Sequence, residues 1–132
     1  MSTLALVGIG FALGVRHAAD TDHVVAVTAI AAGEKRVWPA ALVGAFWGLG
    51  HSLTIFTVGG LIVALNLVVP PRLGLALEFV VGIALVVVGT LNLAARNGAR
   101  VAAHVASHRG RRAFALGLVH GLAGSAAVAL LV

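Results

Sequence analysis

The segment Arg16-His17-Ala18-Ala19-Asp20-Thr21-Asp22-His23 packs two imidazoles, two carboxylates and a guanidinium into eight residues. Apolar runs flank it on both sides. Imidazole nitrogen combined with carboxylate oxygen is a ligand set for borderline divalent metals such as Ni²⁺ or Co²⁺. An ionised side chain near the centre of a bilayer costs about 2.5–3.5 kcal/mol on insertion scales. Groups kept there at that cost face a partner, a cavity or a cargo. The chemistry these residues point to is the handling of a metal ion inside a membrane.

Helical geometry limits how one helix could use them. Each residue turns by about 100°, so relative to His17, Asp20 lies at roughly 300° and His23 at roughly 240°. Those three share one arc with Arg16, while Asp22 falls about 100° outside it. One ion cannot take all four side chains from an unbroken helix. Either the helix unwinds near Ala18-Ala19, or Asp22 acts from behind the ligands. Arg16 and Asp20 are four apart, which predicts an ion pair between them.

Further histidines stand in other apolar runs. His51, in Gly48-Leu49-Gly50-His51-Ser52, is about 14 residues, or roughly 21 Å of helix, from the polar link 33–36. His17 is a similar distance from that link, so antiparallel spans would bring both to one depth. Trp47, one turn from His51, reads as packing. His120 reads as a residue of the core or of an ion pathway, because Leu122-Ala123-Gly124 follows it where carboxylates would be needed. Glu78 reads by default as a solvated residue near the outer end of its span, with attraction of cations to an entrance as its alternative role, and Asn66 and Asn92 read as interfacial or helix–helix contacts. His104 and His108 are four apart among arginines, which suit anionic lipid better than a metal.

The elements that must position these groups are membrane helices. A span needs about 20 mainly apolar residues. Four candidates are present, at about 3–32, 37–69, 73–95 and 113–132, within a single transmembrane domain covering 1–132. The fold expected is all-α, a polytopic helix bundle. Pro70-Pro71-Arg72 ends the second span, and a basic loop covers 96–112. Lys35, Arg36 and five arginines of that loop mark the first and third links as cytoplasmic, with the N-terminus outside. The run preceding the octet lacks the basic start and the cleavage pattern of a signal peptide.

Small residues recur every four positions: Gly10-Gly14-Ala18, Ala40-Gly44-Gly48-Ser52 and Gly117-Gly121-Ser125-Ala129. Such rows let helix backbones approach closely in lipid. Phe11-Ala12-Leu13-Gly14-Val15-Arg16-His17 is echoed by Phe114-Ala115-Leu116-Gly117-Leu118-Val119-His120. The echo fits a three-helix unit that restarts in the fourth span, as in transporters built from repeats. The apolar end at Val132 leads us to expect more of that second copy beyond it.

Composition agrees and excludes alternatives. Hydrophobic residues make up 61% of the 132, above the roughly 45–50% of soluble domains even though that average includes glycine. Aromatics are few, so the apolar mass is Val, Leu and Ala. There are no cysteines, which excludes disulfides and thiolate metal sites. The net charge of +5 is concentrated in the loop and reads as topology, with no nucleic-acid partner expected. No Gly-rich phosphate loop followed by Lys-Ser/Thr occurs, so this segment is not its own ATPase.

The octet resembles the H-x4-D-H signature of the nickel/cobalt transporter family. Leu49-Gly50-His51-Ser52 resembles that family's second histidine motif. Leu118-Val119-His120-Gly121-Leu122-Ala123-Gly124-Ser125 is similar to the related urease-accessory membrane proteins. The resemblance implies a polytopic permease that carries Ni²⁺ or Co²⁺ inward, for the assembly of urease, hydrogenase or cobalamin. It implies that His17, Asp20, Asp22 and His23 form the selective site, with His51 nearby. Family members have more spans than the four offered here, so this chain reads as half of a protein or as one that needs a partner copy.

The leading expectation is therefore a metal-ion permease in a bacterial inner membrane. It is not an enzyme, and Ni²⁺ or Co²⁺ is its cargo rather than a resident cofactor. An ion gradient or an energising partner protein would drive it. A non-transporting accessory protein for metalloenzyme maturation is the alternative. A di-iron hydroxylase needs more histidines than these spans supply.

Overall fold

The computed structural model describes residues 2–97 and 108–129, and every regular element among them is helical. In chain order these are α1 (Thr3–Ala18), α2 (Thr21–Ala31), α3 (Val37–Thr54), a π-helical turn (Ile55–Gly59), α4 (Gly60–Ala64), α5 (Pro71–Asn97) and α6 (Arg109–Ala129). Among the described residues, two continuous helical stretches are long and apolar enough to cross a membrane, Val37–Ala64 and Pro71–Ala95. α1 and α2 are apolar but shorter, with 16 and 11 residues.

The first apolar run is broken where its polar residues fall. α1 stops at Ala18, and the Ala19 N–H donates back to Val15 and Arg16 carbonyls. Asp20 is extended (φ −60°, ψ 144°) and stands at the N-cap of α2. Its carboxylate makes no capping bond, because it is engaged by His17 instead. Of the two expected geometries, the local break is the one observed.

The other ends have plain causes. Asn66 adopts a left-handed conformation (φ 49°) after α4. The Leu67 N–H then reaches the Ile62 carbonyl and the Asn66 N–H reaches Val63, closing the helix in the manner of a Schellman cap. Pro71 opens α5 at the first helical position, where its missing N–H costs nothing. α6 begins at Arg109, earlier than the expected 113, so the end of the basic loop is its first turn. Glu34 accepts from Arg109, which ties the link after α2 to the start of α6.

The interior is built on contact between α3 and α6. A Cβ on Gly50 would strike the Phe114 carbonyl, and one on Gly117 would strike the Trp47 carbonyl. A Cβ on Gly121 would come within 2.7 Å of the His51 carbonyl oxygen. Only glycine lets these backbones touch. The row expected on α3 does not serve this contact: Gly48 has open space around it, and Gly44 meets only Val27. Gly10 and Gly14 of α1 are likewise open.

The buried interior mixes an apolar cluster of Ala26, Val43, Trp47 and Ala113 with polar residues, while large apolar side chains face outward. His23, His51, Thr54, His120 and Ser125 are buried, whereas Leu4, Phe11, Phe56 and Phe79 are exposed. Water outside would penalise both choices; lipid outside favours both.

Candidate metal centre

Four histidines converge here, with His23, His51 and His120 buried and His17 half-exposed at the edge. His17 comes from the last turn of α1, His23 from the first turn of α2, His51 from α3 and His120 from α6. The break after Ala18 lets His17 and His23 turn toward each other, with ring centroids 4.4 Å apart. The glycine contacts between α3 and α6 bring His51 and His120 to 5.5 Å. His23 sits at the centre, 4.7 Å from each of those two rings. His17 and His51, expected at one depth, are 5.7 Å apart.

The polar atoms form a connected chain. His23 Nε2 is 3.2 Å from His51 Nε2. His23 Nδ1 is 3.1 Å from Asp22 Oδ1, close enough for an ion pair but without a hydrogen bond. Asp22 Oδ2 is 2.7 Å from His120 Nε2. His17 Nδ1 is 3.1 Å from Asp20 Oδ2. His51 Nδ1 and Trp47 Nε1 are buried with no hydrogen-bond partner. A buried polar atom left unsatisfied costs about 1–3 kcal/mol, so this pocket is not optimised for stability alone.

Two groups of potential ligands emerge: His17, His23 and His51, and Asp22, His23 and His120. Within each, the ligand atoms lie within 4.8 Å of one another. Bonds of about 2.1 Å to one ion hold ligand atoms no more than about 4.2 Å apart. Closing that gap takes side-chain adjustment, not a new backbone.

Each expected site residue can now be placed. His17, Asp22, His23 and His51 are brought together, and His120 joins them as a full member. Asp20 lies outside both groups, against His17. The expected Arg16–Asp20 ion pair does not form among the described residues; the carboxylate turns to the nearer His17 three positions back. Trp47 does more than fill space: it stacks on His51 at 5.1 Å and meets His23 and His120 edge-on. Asn92 donates to the Ala29 carbonyl, a helix–helix contact as expected. His104 lies outside the described residues.

A cavity of about 500 Å³ adjoins the cluster. Its walls include His17, Asp20, Asp22, His23 and His120, and Glu78 of α5. Glu78, read by default as solvated and otherwise as a residue that draws cations to an entrance, lines this cavity. A carboxylate facing the chemistry across a cavity depends on the crossing of α5, which no local spacing encodes. His51 is not part of the cavity wall and stands behind His23.

The chain is 33% identical to the urease accessory protein UreH of Bacillus sp. (strain TB-90), across 97% of its own length. It belongs to the same family as UreH. The resemblance to the urease-accessory branch of the nickel/cobalt transporters is thereby borne out. The chain spans 62% of the length of this UreH relative. No protein-family model matches the chain, and no solved structure does. The UreH relative is named as a urease accessory protein.

Proposed function

We propose that this chain is a membrane permease segment for a divalent transition-metal ion, Ni²⁺ or Co²⁺. In this reading α1 and α2 together form one broken span, α3 with α4 a second, α5 a third and α6 a fourth. The N-terminus lies outside a bacterial inner membrane. The observation that carries the reading is the convergence of four imidazoles and the Asp22 carboxylate, with His23, His51 and His120 buried and nitrogens of His23 and His51 left unpartnered.

The chemistry follows from the donors. The ion sheds part of its hydration shell and takes imidazole nitrogens and carboxylate oxygen instead. Asp22 and Asp20 offset its double charge, which lowers the cost of entering a low-dielectric region. Asp20 accepts the Nδ1 proton of His17, leaving Nε2 free to bind; a carboxylate behind a ligating histidine fixes its tautomer and orientation. The cavity beside Asp22 and Glu78 admits the hydrated ion. Release is feasible because no cage of ligands surrounds the ion completely.

The test is uptake of radiolabelled Ni²⁺ by proteoliposomes containing the full-length protein. Uptake that is lost in His23→Ala supports the permease. The name of the UreH relative favours a second reading, a non-transporting accessory protein that holds the metal. Saturable Ni²⁺ binding without passage into the vesicles supports that one instead.

A further inference from the structure

Resting on the metal-binding reading, we propose that the cluster is two ion stations sharing His23, filled one at a time. The outer station is Asp22, His23 Nδ1 and His120. The inner station is His17, His23 Nε2 and His51. The ion moves between them by exchanging one nitrogen of His23 for the other.

Three observations carry this. First, His23 belongs to both ligand groups, and its two nitrogens face opposite partners, Asp22 at 3.1 Å and His51 at 3.2 Å. Second, a neutral imidazole has one lone pair and one N–H. Only one of the two stations is therefore complete at any moment. Third, access is graded. Asp22 and His17, one from each station, have 56% and 46% exposed side chains on the cavity wall, His23 and His120 are 5% exposed, and His51 is buried off that wall. An ion arriving through the cavity meets Asp22 and His17 at its wall first and His51 last.

The exchange balances. The metal–Nδ1 bond breaks as the metal–Nε2 bond forms. The Nε2 proton leaves to solvent or to a neighbouring acceptor, and Nδ1 takes one up beside the Asp22 carboxylate. No oxidant or net proton is required. The donor sets differ, two nitrogens with one oxygen outside and three nitrogens inside. A step inward therefore trades a hard oxygen for a softer nitrogen, a preference that borderline metals share and Mg²⁺ does not.

The experiment titrates the purified full-length protein with Co²⁺, reading stoichiometry and the visible spectrum of the bound ion. The wild type binds one Co²⁺ per chain. His51→Gln and His17→Gln keep one Co²⁺ with the spectrum of the outer donors. Asp22→Asn and His120→Gln keep one Co²⁺ with the spectrum of the inner donors. His23→Ala loses affinity by about 100-fold or more, at or beyond the top of the range that changes behind the ligands cost. Circular dichroism identifies any variant that fails to fold, and the paired variant then stands in for it. The proposal is overturned if all four single variants lose Co²⁺ as fully as His23→Ala, since that describes one joint site. It is also overturned if the wild type binds two Co²⁺ at once, or if the two pairs give one spectrum. A wild type that binds no Co²⁺ overturns the metal-binding reading itself.

Discussion

α6 and α1 carry the same sequence device, glycines four residues apart, and use it differently. On α6, Gly117 and Gly121 sit against the α3 backbone with no room for a Cβ. On α1, Gly10 and Gly14 meet nothing within 4 Å, and α1 buries no residue. The α3–α6 side holds His51 and His120 against Trp47. The α1 side supplies His17 from a helix end, held by Asp20. A row of small residues permits close approach but does not cause it; the second helix must cross at the row. The comparison also divides the site into a fixed half and an adjustable half, which suits a centre that must bind an ion and release it.

Substitutions should separate the halves. Gly117→Leu drives a side chain into backbone and should destabilise by about 3 kcal/mol or more, the upper end of overpacking effects. Gly14→Leu should stay within about 0.5 kcal/mol, as at an open surface position. Thermal unfolding in detergent checks both, and a large effect at Gly14 would reveal a packing partner for α1. Asp20→Asn should weaken Ni²⁺ binding by about tenfold, the lower range for a group behind a ligand, with little change in unfolding temperature. Glu78→Gln should slow uptake a few-fold at low salt and less at high salt, since screening erases its attraction for an incoming cation. Uptake that ignores salt in both proteins would remove Glu78 from the path.

pH acts on the whole cluster with a fixed sign. Protons and metal compete for the same imidazole nitrogens, so Ni²⁺ affinity falls as the medium is acidified from about pH 8 to about pH 6. Calorimetric titrations across that range check the direction, and affinity rising on acidification would contradict it.

Much of the centre was legible because its chemistry is local. The octet's charges announced a site, and the 100° step placed Asp22 off the common face, so a break near Ala18 was one of two outcomes. Depth along antiparallel spans paired His17 with His51. What stayed hidden depends on how helices cross. His120 enters the cluster, and Trp47 stacks on His51, because Gly50, Gly117 and Gly121 set the α3–α6 contact. The period-four row at Gly44 and Gly48 pointed to a different face of α3. Asp20 shares its arc with His17, as the 100° step places it, and its carboxylate bonds that imidazole at the cavity wall. Glu78 joined the cavity through the path of α5, which composition cannot give.

X-ray absorption at the nickel edge of the Ni²⁺-loaded protein tests the central claim most directly. Nitrogen and oxygen neighbours with the multiple-scattering signature of at least two imidazoles, lost in His23→Ala, are the predicted result. A shell of oxygen alone, unchanged in His23→Ala, would place the ion outside the histidine cluster and contradict the account.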